Sequence, residues 1–288
     1  CEEVGVTRAC EASLEDCGLL VVGHGTADPV GAGECRRVAD LVAAAVGPTV
    51  PVELGFLELL EPTIDAAVER LAARGCPRFI AAPLLLFTAG HALRDVPEAV
   101  AAAATARGMR VRQSAALGLH PDIVTLSARR RSEVISGLST VDPADAVLLM
   151  VGRGASDPTA LLQLREFAAA STAGDRAVAG WRVGFGFCAA ARPTLDEAVA
   201  AACDPGPGRV RRIVVQPHLL FRGHVEEQVS AAVGRGRAAW PDIEWLQVPR
   251  LGVDELVARA VVGRAREAWA AWKTEAEPTG KTVSPRPT

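Results

Sequence analysis

Lysine is nearly absent from this chain. Lys273 and Lys281 are the only two, and arginine carries the rest of the positive charge. The formal net charge of −3 leaves no basic surplus, so nucleic acid is not an expected partner. No apolar run reaches the roughly 18 residues that would indicate a membrane-spanning helix. The alanine-rich stretches Ala44–Pro48 and Ala99–Ala106 read as soluble helix. No basic-plus-apolar targeting segment opens the sequence, and a cytoplasmic location without membrane contact is expected. The seven cysteines include no Cys-x-x-Cys pair. Cys35, Cys76, Cys188 and Cys203 fall on or beside expected helices and strands, where thiols are usually buried. Cys1, Cys10 and Cys17 lie in a polar lead, residues 1–17, and their spacing matches no standard metal site.

Apolar residues make up 49% of the 288 positions, enough for one large domain or two ordinary ones. Leu19–Gly23, Val50–Phe56, Arg78–Leu85 and Met109–Ser114 are short apolar runs of the kind that form strands buried on both faces. Between them lie segments with helical spacing: Glu34–Val46, a helix opened by Pro62 and reaching Arg74, Glu98–Arg107 opened by Pro97, and a last one ending near Ile135. His24–Gly33 and Leu86–Val96 read as loops. Alternating strands and helices imply a parallel sheet covered by helices.

The pattern then restarts after a linker at Ser136–Asp142. Ala146–Val151, Trp181–Phe187 and Arg212–Pro217 echo the first three strands, and Arg192-Pro193-Thr194 echoes Glu61-Pro62-Thr63. A final helix is expected over Asp254–Trp272. The predicted organisation is a lead (1–17), a first repeat (18–137), a second repeat (144–273) and a disordered tail (274–288) rich in Pro, Thr and Lys. The fold class is α/β: two domains, each a four-stranded parallel sheet flanked by helices, with a cleft between them where strand-exit loops meet.

Three groups that can hold a metal or a proton stand at strand exits of the first repeat. They are His24, Glu58 and His91, spaced 34 and 33 residues apart. Successive βα units set equivalent loops side by side, so the three could converge on a borderline divalent ion. The plainer alternative is a set of hydrogen-bonded loop residues, with the glycines around His24 marking only a tight turn or a phosphate loop. Gly23-His24-Gly25-Thr26 is neither a Walker A loop nor a dinucleotide fingerprint, so a nucleotide-binding function ranks last. His120 reads as a helix-start residue or a substrate contact, and His218 as structural or cleft-lining.

The stretches Leu20–Pro29, Gly55–Ile64, Pro83–Pro97 and Leu117–Pro121 together resemble the class II tetrapyrrole chelatases, in particular the sirohydrochlorin chelatases of the CbiX/SirB type in their long, two-repeat form. The resemblance spans residues 18–270 or so and is looser in the second repeat. It implies two flavodoxin-like domains and ATP-independent insertion of Co2+ or Fe2+ into sirohydrochlorin, for cobalamin or siroheme. It places the metal and catalytic positions on His24, Glu58 and His91. His24 would be metal ligand and proton acceptor, Glu58 ligand and charge-balancing base, and His91 ligand. It implies no tightly bound cofactor, the metal being a substrate.

Sirohydrochlorin is flat and ringed by carboxylates, which suits arginines at a cleft rim. Arg94, Arg153 and Arg222 are the candidates, with His120 and His224 as further substrate contacts. In the second repeat Arg153 stands where the first has His24, and Ala189 where it has Glu58, while His224 echoes His91. One metal site per chain is therefore expected, in the first repeat. A fused chain has less need to dimerise, so a monomer is expected. The competing assignment is a metal or tetrapyrrole carrier without catalysis.

Overall fold

The apolar run Gly18–Gly23 forms strand β1 and is buried at every position. The computed structural model describes residue 14 and residues 16–87, 92–157, 159–204 and 209–276. After β1 come α1 (Pro29–Val46), β2 (Val52–Phe56), α2 (Ile64–Ala73), β3 (Arg78–Pro83), α3 (Ala92–Thr105), β4 (Arg110–Gln113) and α4 (Pro121–Ile135). The second repeat supplies β5 (Ala146–Gly152), α5 (Thr159–Thr172), β6 (Arg182–Phe187), α6 (Leu195–Cys203), β7 (Arg212–Pro217), α7 (His224–Ala239), β8 (Glu244–Gln247) and α8 (Glu255–Ala276). Each set of four strands makes one parallel sheet, ordered β2-β1-β3-β4 and β6-β5-β7-β8. The strand order reverses between β1 and β3, and between β5 and β7, so the loops leaving those strands flank a crevice. The expected α/β class with two four-stranded sheets is what the chain adopts.

Helix starts depart from the sequence reading in three instructive places. The glycine-rich loop expected through Gly33 ends at Asp28, because the Asp28 carboxylate accepts from the Val30 and Gly31 N–H groups and Pro29 supplies a first-turn residue with no N–H to satisfy. Pro62 lies outside α2, in a cis peptide bond after Glu61. Thr63 is the cap, and the Pro62 carbonyl accepts from Phe56 N–H at 2.8 Å. Pro97 falls inside α3 rather than opening it. At the C-terminus α8 continues to Ala276, past the expected end at Trp272; residues 277–288, with most of the predicted tail, lie outside the described residues, as do Cys1 and Cys10.

Alternation along the strands divides each sheet into two faces. Leu20 and Val22 of β1 pack with α2 and α3, and Val147, Leu149 and Val151 of β5 pack with α6 and α7. The opposite faces, carrying Leu19 and Val21 on β1 and Leu148 and Met150 on β5, enter one common core with α1, α4, α5 and α8. Helices are exchanged across that core. Helix α8, from the second repeat, lies on β3 and β4 of the first sheet and beside α1. Arg78 and Arg110 stack over Trp269 and Trp272 at 5.3 and 5.8 Å, and Arg112 grips Glu275 through two hydrogen bonds.

Helix α4 makes the reciprocal crossing. Ser127 accepts from the Gln216 amide of β7, and Arg131, fully buried, donates to Gln216, Asp175 and the Ser171 carbonyl. A buried guanidinium needs every one of these partners, and its removal would leave the Gln216 oxygen and the Asp175 carboxylate short of a donor. Arg131→Ala is expected to destabilise the whole chain by about 3 kcal/mol, read as a lowered urea midpoint.

Candidate active site

His24 follows β1 directly, and Glu58 stands two residues beyond β2. The ladder between these neighbours continues past the sheet: Leu57 N–H donates to the Gly23 carbonyl at 2.9 Å, and Glu58 N–H to the His24 carbonyl at 3.1 Å. That extension sets the two side chains side by side, His24 Nδ1 lying 3.3 Å from Glu58 Oε1, both part-exposed. Gly25 makes it possible. Its φ is +104°, and a Cβ there would stand 1.9 Å from the Glu58 carbonyl oxygen, so no other residue fits without moving the glutamate.

The second repeat keeps this backbone. Cys188 N–H bonds the Gly152 carbonyl, and Ala189 N–H bonds the Arg153 carbonyl. Gly154 has φ +89°, and a Cβ there would again stand 1.9 Å from the carbonyl oxygen opposite, that of Ala189. The scaffold is duplicated, whereas the groups able to bind a cation or accept a proton are present on one copy only.

A cavity of about 140 Å³ opens beside His24. Gly23, Gly25, Thr26, Cys35 and Leu84 line it from the first repeat, and Phe221 and Arg222 from the second. Burial pushes the Cys35 thiol up to about 12, so it lines the cavity as a neutral, weakly polar group. A larger cavity, about 330 Å³, lies between α2 and α3; its one titratable lining group, Asp65, is paired with Arg107.

Arg222 is half-exposed, with Nε 3.4 Å from Asp28 Oδ2 and Nη2 3.9 Å from Glu227. Asp28 is held ionised by the Gly31 N–H, then by Val30 N–H and the Arg222 and Arg250 charges, which keep its carboxyl below the usual range. Arg94, in the first turn of α3, is exposed and within 3.8 Å of both Asp95 and Glu98. Arg153 is exposed at the β5 exit and has no ion-pair partner among the described residues.

The remaining candidates scatter. His91 lies outside the described residues. Among the described residues no three His, Cys, Asp or Glu side chains form a group able to hold a metal ion, so the described part of the expected triad is the His24–Glu58 pair. His224 opens α7 with its ring largely in solvent; its Nε2 accepts from the Gln228 amide at 2.9 Å. His120 caps α4, its Nδ1 accepting from Asp122 N–H, and its Nε2 packs on Gly263 of α8, where a Cβ would meet it at 2.5 Å. Desolvation there lowers its pKa. The helix-start reading describes this position, and nothing in its surroundings draws it toward His24.

Sequence reasoning missed Phe221, Cys35 and Glu34. The first two line the cavity, and buried Glu34 bridges the halves beside it. Only their place on α1 and at the β7 exit, not any motif, would have pointed to them.

A profile of the CbiX family matches residues 18–134 and again residues 147–268. This chain belongs to the CbiX family. Among its relatives is the sirohydrochlorin ferrochelatase of Priestia megaterium, 32% identical over 215 residues that cover 74% of this chain and 76% of the relative. The sirohydrochlorin cobaltochelatase of the same organism is 24% identical over 86% of this chain and 79% of its own length. SirB from Bacillus subtilis with Fe3+ superposes with a TM-score of 0.75 at 25% identity, covering 90% of this CbiX chain and 97% of SirB.

His218, at the β7 exit, is fully buried between Phe87 and Phe167, with ring centroids 4.8 and 3.9 Å away. Neither ring nitrogen has a hydrogen-bond partner among the described residues, and burial pushes its pKa down to about 3. The folded chain thus prefers the neutral ring, while the unfolded chain titrates near 6.5. This contribution to stability is complete above about pH 6.5 and is lost progressively as the pH falls toward about 3. The urea midpoint should drop on going from pH 7 to pH 5, and His218→Phe should remove much of that drop.

Proposed function

We propose that this CbiX protein inserts a divalent metal, Co2+ or Fe2+, into sirohydrochlorin without ATP. The observation that carries the reading is the His24–Glu58 pair, 3.3 Å apart at the mouth of a cavity closed by Phe221 and Arg222 of the other repeat. Two donors at metal–ligand bond lengths of about 2.0–2.1 Å from one tetrahedral ion stand about 3.3 Å from each other, so the pair is spaced to share one. Relatives named as ferrochelatase and cobaltochelatase of sirohydrochlorin support both the substrate and the choice of metals. His91, which falls between β3 and α3 in the sequence and outside the described residues, is proposed as the third ligand.

Insertion exchanges two pyrrole protons for the metal. The neutral His24 ring has one unprotonated nitrogen, able to take a proton or, at Nδ1 beside Glu58, to hold the metal until the macrocycle takes it. Glu58 balances the positive charge that accumulates during the exchange. The second repeat lacks both groups: the Arg153 guanidinium cannot accept a proton, and Ala189 has no donor atom. It serves as the macrocycle-binding wall, with Phe221 available to the flat face and Arg222 and Arg153 to the peripheral carboxylates. Arg94 is a further carboxylate contact in this reading, with His224 at the rim. His120, seated on Gly263, supports α4 instead.

The cavity is smaller than the roughly 300–1,000 Å³ of pockets that enclose a drug-sized ligand, so the macrocycle would lie across the mouth with its edges in solvent. Both walls come from one chain, so a monomer suffices.

Mixing the purified protein with sirohydrochlorin and Co2+ in the absence of ATP should change the tetrapyrrole absorbance within minutes; a spectrum that moves only at the uncatalysed rate would rule out the enzyme and leave a carrier. His24→Ala should cut turnover by at least about 100-fold with the far-UV circular dichroism unchanged, and His224→Ala should cost much less. Equal losses in both would refute a single metal site in the first repeat.

A further inference from the structure

Glu34 is a carboxylate on α1 buried to 4% exposure, and it belongs to none of the catalytic groups above. Its hydrogen bonds reach across to the other repeat. Its Oε2 accepts from the Arg222 backbone N–H at 2.8 Å and from Arg250 Nε at 3.2 Å, and its Oε1 accepts from Arg250 Nη2. Arg250 is in turn held by both oxygens of Glu226, at 2.8 Å each. The backbones press together at the same point: a Cβ on Gly31 would stand 2.2 Å from the Arg222 carbonyl oxygen. Arg222 is thus fixed through its main chain on both sides of the α carbon, while its guanidinium stays half-exposed at the cavity.

We infer that Glu34 is a positioning residue that sets the height of Arg222 above His24, and so controls binding of the tetrapyrrole but not of the metal. The inference rests on the reading of Arg222 as a substrate contact. Burying a carboxylate is costly unless its charge is matched and its oxygens are filled, and Glu34 meets both conditions only with the second repeat's loops in place. The α1 contact therefore selects one placement of the β7-exit loop. A neutral amide of the same size cannot reproduce it. Whichever way the side-chain amide of the E34Q variant turned, its NH2 group would face an N–H of Arg222 or Arg250, donor against donor.

The test is steady-state kinetics on the full chain with sirohydrochlorin and Co2+, each varied in turn, for the wild type, E34Q, R222A and the double variant. E34Q is expected to raise KM for sirohydrochlorin about tenfold, with KM for Co2+ and kcat within about twofold. R222A should raise the same KM, and the double variant should be no worse than R222A alone, because one residue acts through the other. Should E34Q not fold, E34D, which keeps the charge but withdraws it by a methylene, should show the same split between the two KM values. Additive losses in the double variant, or a fall in kcat with both KM values raised, would overturn the inference. If R222A raises KM while E34Q leaves it unchanged, the inference fails and the substrate contact survives. If R222A leaves KM unchanged, the substrate contact fails and takes the inference with it.

Discussion

The inner faces of the two sheets, Leu19 and Val21 on one side and Leu148 and Met150 on the other, are buried in a core that neither repeat can build alone. Helix α8 covers β3 and β4 of the first sheet, and α4 reaches the second through Ser127 and Arg131. Removing either helix would expose an apolar sheet face at about 25 cal/mol per Å², which ties the halves into one unit. The strand-exit loops of both sheets then meet at a fixed separation. The cavity beside His24, floored by one repeat and walled by the other, is a consequence of that docking.

Within this frame duplication separates scaffold from chemistry. Gly25 and Gly154 adopt the same left-handed conformation and approach the carbonyl of the residue opposite in the same way, so both copies retain the backbone that would present a histidine and a glutamate side by side. One copy carries His24 and Glu58, and the other Arg153 and Ala189. The second scaffold persists because its β7-exit loop closes the cavity and its core is shared.

Charge follows the same logic. The chain has few lysines, and the arginines that matter are those whose planar, multi-donor heads bridge the repeats: Arg131 to Gln216 and Asp175, Arg250 to Glu34 and Glu226, Arg112 to Glu275. Each makes more than one hydrogen bond, which resists sliding between the halves. His218, neutral between Phe87 and Phe167, is the apolar counterpart of these clamps and makes the same interface sensitive to acid.

Periodicity in the chain located seven of the eight strands, β8 being implied only by the repeat, and gave the parallel order and the duplication, since buried strands are apolar and each crossover needs a helix. It also marked His24 and Glu58, because groups at strand exits share one edge of a sheet. Helix starts were misplaced at Pro29, Pro62 and Pro97, where proline tolerates several positions near a helix end and the Asp28 and Thr63 caps decide. The exchange of α4 and α8 left no trace in the sequence, because an amphipathic helix shows the same pattern whichever sheet it covers. The partnership of Glu34 with Arg222 and Arg250, 188 and 216 residues away, was equally hidden. Local pattern and the β1–β2 ladder determined which atoms stand at the strand exits and set His24 beside Glu58, and the packing of one repeat against the other decided what faces that pair across the cavity, because that depends on surfaces that meet only once both sheets have formed.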